Sequence, residues 1–319
     1  MRSIQRSPRP SPTSPPPPAS ESPQPEFSQL ARLGLVSWRR HVAAILTIVF
    51  FWFGLGTAAT VAVATFTGVY DPSAPRDGFS LSGYLLISVP FPFLLAGLAV
   101  AVRFIHKRPL RSLITPLARV NLWRVLQGFG LILALVAATS GGWALLGPDP
   151  YQLVFHPQRW LLALPLILVV TTLQASTEEL LMRSYLLQTV GLLTRRTWLL
   201  AGINGLLFAV PHLTNPEVGL GPALLFAFYL SFGAFVTLVT LRDNRLELAL
   251  GMHAANNLFA ALIVTHPNST IPTEAIWQAG VLNPAYNLIT FLIGAAIFYR
   301  LLVRRPRATA ATRQPTQTS

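Results

Sequence analysis

The chain has 319 residues, of which 52% are hydrophobic and 11% charged, where a soluble domain carries about 25% charged residues. A net charge of +13 would suit a nucleic-acid binder, but the basic residues sit between apolar runs rather than on one polar domain, so the expected partner is the lipid bilayer and not nucleic acid. With no cysteine, disulfides, thiolate metal sites and a cysteine nucleophile are excluded.

Residues 1–26 contain nine prolines and many serines. Such a segment cannot bury a core, and it lacks the apolar stretch of a signal peptide, so residues 1–40 read as a disordered cytoplasmic tail. Apolar spans follow at 42–66, 83–103, 125–147, 160–182, 197–213, 221–241, 246–265 and 286–303. A bilayer core of about 30 Å takes about 20 helical residues, and exposed irregular backbone is forbidden in lipid. The fold class is therefore all-α, a polytopic transmembrane helix bundle of about eight spans. Its parts are two N-terminal spans with a basic loop (41–119), a core (120–303) and a basic tail (304–319).

Charge orients the bundle. Alternating sides place 21 Lys and Arg residues on the face that carries both termini and only Arg76 and Arg159 on the other. The positive-inside rule puts that basic face, with both termini, in the cytoplasm of a multi-pass cell-membrane protein.

Nine of the eleven acidic residues lie in tails, loops or span edges. Glu178 and Glu179 are the exceptions, and a carboxylate inside a span is a functional candidate by default. Arg183 follows Glu179 by four residues, the spacing of an ion pair on one helix face. Glu178 points about 100° away, with no obvious partner on its own helix, as suits a general base. Two histidines also fall within spans: His212, four residues after Phe208 and in line with Asn204, and His253, four before Asn257. Glu178 lies 17 residues before Arg195 and His212 lies 17 after it. A hairpin turning near Arg195 therefore brings both to one depth, about 25 Å from the turn at ~1.5 Å per residue. His253 is only eight residues past Arg245. The depths agree if the hairpin protrudes roughly 13 Å beyond the interface, with Thr214–Asn215–Pro216 as irregular backbone lining a cavity.

Glu178-Glu179-Leu180-Leu181-Met182-Arg183 fits E-E-x-x-x-R, Phe208 to His212 fits F-x-x-x-H, and His253 to Asn257 fits H-x-x-x-N. In order and spacing these resemble the CPBP family of intramembrane proteases, which includes the CAAX prenyl endopeptidase and Abi-type bacteriocin-immunity proteins. The resemblance covers about 120–303. It implies an endopeptidase acting on a peptide or membrane-protein substrate from a site open to the cytosol. Glu178 would activate water with help from His212, while His253 and Asn257 would bind the oxyanion. Glu179 and Arg183 would brace the cavity, and Phe208 would position His212. Asn256 is the alternative to Asn257.

A zinc ion held by Glu178, His212 and His253 is the metal-dependent version of this site. A glutamate-dependent site without metal uses the same residues, and no H-E-x-x-H is present. Two other functions use these residues: a proton-coupled transporter and a non-catalytic membrane scaffold of the same fold.

Overall fold

A computed structural model of the chain describes residues 25–68, 81–147, 151–267, 269 and 273–303. The first 24 residues and the tail after 303, where disorder and a basic tail are expected, lie outside these.

Among the described residues the chain is a bundle of eight helices: α1 Trp38–Thr67, α2 Gly83–Ile105, α3 Leu122–Leu146, α4 Pro157–Val190, α5 Thr197–His212, α6 Pro222–Asp243, α7 Glu247–Leu262 and α8 Pro284–Val303. Each coincides with one of the eight apolar runs. Six are long and apolar enough to cross a membrane, whereas α5 and α7 have only 16 residues each. The protein is a multi-pass membrane helix bundle.

Local sequence sets the starts. The side chains of Ser37, Asn121 and Asn283 accept from Arg40 N, Arg124 N and Tyr286 N, capping α1, α3 and α8. Prolines at the first turns of α4, α6 and α8 add a fixed φ where no intrahelical N–H is needed. Asn244 closes α6 in the left-handed conformation, with φ 57°.

Burial separates the roles of the helices. α3 buries only Gly128 of its 25 residues fully; one side of it packs half-buried on the core through Phe129, Leu131, Ile132 and Leu135, and the other is exposed, as on a helix at the lipid boundary. α7 buries twelve of its sixteen and forms the centre of the bundle. The two meet through glycines: a Cβ on Gly251 would stand 2.0 Å from Val125 O, and one on Gly128 2.4 Å from Leu248 O. α5 and α6 cross the same way, with a Cβ on Gly205 falling 2.8 Å from Leu230 O and one on Gly233 2.9 Å from Gly205 Cα. Without a hydrophobic drive in lipid, such close backbone approach is what packs helices.

α4 is continuous over 34 residues, or about 51 Å, so it outruns a 30 Å hydrocarbon core by about 20 Å. That surplus is what the protruding hairpin requires. It is sheathed by earlier chain. The 3-10 turn Phe27–Leu33 lies along it, and Gln29 Nε2 donates to Gly191 O at 2.7 Å. Gln188 Nε2 donates to Ser112 O at 2.9 Å, and Arg108 donates to Gln188 Oε1. Phe27 N donates to Asn244 Oδ1 at 2.6 Å, which ties the same turn to the end of α6.

At the opposite end the loops form a sheet of three two-residue strands: β1 Gln152–Leu153, β2 Val264–Thr265 and β3 Trp277–Gln278. β3 lies in the middle, antiparallel to β1 and parallel to β2.

Candidate functional site

The three sequence motifs converge. α4 contributes Glu178, Glu179 and Arg183, α5 contributes Phe208 and His212, and α7 contributes His253. A π-helical stretch, Leu180–Leu186, begins directly after the glutamate pair. Such bulges recur at functional sites because they re-aim side chains within a helix.

Glu179 is fully buried, and its Oε1 accepts from two sides, from Arg183 Nη1 at 2.9 Å and from His253 Nδ1 at 2.7 Å. Because a carboxylate oxygen only accepts, His253 carries its proton on Nδ1. Its Nε2 then faces Glu178 Oε2 at 3.7 Å, a gap that is long for a direct hydrogen bond. The two adjacent glutamates thus bracket one imidazole. Their environments differ: the Glu178 side chain is 19% exposed and that of Glu179 is 0%. Only Glu178 can be reached from outside. Glu178 does have a partner on its own helix, contrary to the sequence expectation: Gln174 Nε2 donates to Oε1 at 3.4 Å.

Phe208 O accepts from His212 Nδ1 at 2.7 Å. A carbonyl can only accept, so neutral His212 has its proton on Nδ1 and a lone pair on Nε2. Its ring lies 4.2 Å from Phe208 and 4.6 Å from Tyr229. Phe208 also receives the Arg183 guanidinium over its face at 4.0 Å, a cation–π contact. The Phe208 of the F-x-x-x-H motif therefore touches both halves of the site.

Asn257 follows His253 by one turn of α7. Its Oδ1 accepts from Asn256 Nδ2 at 3.1 Å, so what it can still offer is N–H donors, the polarity an oxyanion needs. Asn256, the alternative that spacing disfavours, lines two cavities beside α7.

Glu178, His212 and His253 do not form a metal cage. Among the described residues no three His, Asp or Glu groups stand close enough together to hold an ion. The spacing of these donors does not fit zinc.

Sequence reading missed Tyr229, Phe232 and Glu217. Phe232 packs against Phe208 at 5.4 Å and against His253 at 5.6 Å. Tyr229, its ring tilted against His212, donates to Glu217 Oε1 at 2.6 Å, and Asn215 Nδ2 bridges to both, at 3.1 and 3.2 Å. Glu217 belongs to a 3-10 turn, Pro216–Leu220, in the irregular segment expected after His212. The available signal was a tyrosine inside an apolar span, whose buried hydroxyl needs a partner.

The family model described as type II CAAX prenyl endopeptidase Rce1-like matches residues 159–259, the stretch that holds every motif above. The uncharacterized protein YyaK of Bacillus subtilis (strain 168) is 35% identical over 281 residues, covering 82% of this chain and 92% of that one. No solved structure matches the chain. The chain therefore belongs to the Rce1-like CAAX endopeptidase family, a peptidase family of the intramembrane CPBP type.

Proposed function

We propose that the protein is an intramembrane endopeptidase that hydrolyses a peptide bond with water activated by Glu178. The observation that carries this reading is the bracketing of His253, with Nδ1 on Glu179 at 2.7 Å and Nε2 facing Glu178 at 3.7 Å. A water seated between Glu178 and the two imidazoles loses a proton to Glu178, with the His212 Nε2 lone pair as a second acceptor. The hydroxide oxygen bonds to the scissile carbonyl carbon, and the carbonyl π pair moves onto oxygen. In this reading His253 enters the cycle as an imidazolium, its Nδ1–H on Glu179 and its Nε2–H toward the site, and donates to that oxyanion together with the Asn257 amide; one such donor is worth roughly 3 kcal/mol of barrier. The tetrahedral species then collapses: the C–N bond breaks, and Glu178 returns its proton to the leaving amine.

Arg183 and Glu179 fix the imidazole without touching substrate. The substrate class is a peptide or membrane-protein segment that enters from the basic, cytoplasmic face. A transporter reading would call for a path of carboxylates across several spans; Glu217 and Glu247 are buried at helix ends, while the two glutamates inside α4 converge on one imidazole.

The test is cleavage of a fluorogenic peptide library by purified protein, comparing wild type with Glu178→Ala and His212→Ala. The expected result is loss of hydrolysis in both variants. Equal cleavage by all three proteins removes the assignment.

A further inference from the structure

Two cavities approach the site from the end of the bundle opposite the basic loops. The larger, about 190 Å³, is lined by Thr139, Ser140, Tyr151, Asn256, His266 and Tyr286 among others. The smaller, about 80 Å³, is walled by Phe228, Phe232, Phe235, Phe291 and Met252. Both include Val136, Thr139, Asn256, Asn287 and Thr290, so they are two lobes of one space between α3, α7 and α8. The outer lobe is rich in hydroxyls and amides, and the inner one is aromatic. Among the described residues no Asp, Glu, Lys or Arg lines either lobe. His266 Nδ1 is buried there without a hydrogen-bond partner among the described residues. Burial also pushes the pKa of His266 down, against a smaller upward pull from Glu217.

These features select a ligand. A charged head group would lose its hydration here with no charged side chain in the lining to replace it. A neutral head with hydroxyl or amide groups meets matching donors and acceptors in the outer lobe. The inner lobe has room for one narrow hydrocarbon chain and not for two. The Phe232 ring that walls it stands 5.6 Å from His253. Asn256, shared by both lobes, donates to Asn257 Oδ1 at 3.1 Å.

We propose that this two-lobed space binds a neutral single-chain amphiphile, head group in the outer lobe and chain in the inner, and that its occupancy reaches the site through Asn256 and Phe232. Binding stands independently of the protease reading, and only the coupling rests on it.

The probe is a monoacylglycerol brominated on its chain, added to the detergent-solubilised full chain. Trp143, which lines the outer lobe, reports by fluorescence quenching, isolated by subtracting the signal of Trp143→Phe. Saturable quenching is expected, weakened at least tenfold in Gly294→Leu, which fills the inner lobe. A Cβ at Gly294 meets only Leu135 Cδ1 at 3.8 Å, so this variant has room to fold. Asn287→Leu, in the wall common to both lobes, should weaken binding independently. A brominated alkyltrimethylammonium and a fatty-acid anion should both bind more weakly than the neutral probe. Non-saturating quenching that is equal in parent and variants overturns the proposal, as does tighter binding of either charged probe. Peptide hydrolysis by the same preparations is scored separately, so loss of the protease reading leaves the binding result standing.

Discussion

The imidazole of His253 hangs from the carboxylate of Glu179 across 74 residues of sequence, Nδ1 to Oε1 at 2.7 Å, and the same oxygen receives Arg183 at 2.9 Å. All three side chains are buried. Glu179→Ala leaves the guanidinium inside the bundle without its carboxylate, a change that typically costs about 3–5 kcal/mol. The expected outcome is a large fall in thermal midpoint of the purified protein, together with loss of hydrolysis. Glu179→Gln keeps an oxygen acceptor and should recover part of the midpoint.

Glu178 behaves in the opposite way. Its side chain is 19% exposed, and its direct contacts are the Gln174 amide and the His253 imidazole. Glu178→Gln should leave the midpoint within a degree or two while lowering kcat on the order of 10²–10⁴-fold, the usual worth of a positioned general base. Steady-state kinetics on one cleaved peptide, with KM little changed, check this. A midpoint that collapses as far as that of Glu179→Ala would contradict the division between the two glutamates.

Because the ligands of a zinc cage are not gathered, hydrolysis should survive metal stripping. Dialysis against a strong chelator, followed by assay and metal analysis of the same sample, gives the answer. Activity that vanishes with the metal and returns on adding zinc refutes this prediction.

His106 supplies a pH dependence outside the spans. Its Nδ1 donates to Leu35 O at 3.1 Å, which leaves Nε2 to accept from the Tyr185 hydroxyl at 3.1 Å. Burial pushes its pKa down, the Leu35 carbonyl opposes that, and His41, Arg108 and Arg40 lower it further. The folded chain thus holds the ring neutral, while the unfolded chain binds a proton near pH ~6.5. The stability it contributes is full above that pH and lost as pH falls through it toward the folded value. Acidification from pH 7.5 to 5.5 should therefore lower the protection factor of Leu35 N, which donates to His106 O at 2.7 Å, once the slower intrinsic exchange at the lower pH is divided out. His106→Asn should flatten the profile.

The crossing of α3 and α7 has no slack at Gly251. A methyl there stands 2.0 Å from Val125 O, so Gly251→Ala forces the helices apart. The expected loss is about 1–3 kcal/mol, typical of overpacking, read as a lower thermal midpoint. Hydrolysis should fall as well, since His253 lies two residues further on.

Much of this was legible in the chain because lipid permits so little else. All eight helices announce themselves as apolar runs, and Glu178, Glu179 and Arg183 stand out by being charged within one. The i,i+4 spacing of Glu179 and Arg183 gave their ion pair directly. The His253 bond to Glu179 did not follow from sequence, because it depends on the rotation of α7 against α4, set by glycine crossings elsewhere. Glu217 was hidden for a different reason. It lies in a turn at a span edge, where an acid usually meets water, and only the docking of Tyr229 draws it inside.

The turn at Phe27–Leu33 imposes an order on assembly. Its docking partners are Gly191 and Asn244, at the far ends of α4 and α6. A ribosome makes residue 27 long before either, so this early segment meets its first partner at about three-fifths of the chain and is fully docked only after about three-quarters. Its closure then acts as a latch, fastened only after the helices that carry Glu178 and His212 are in place.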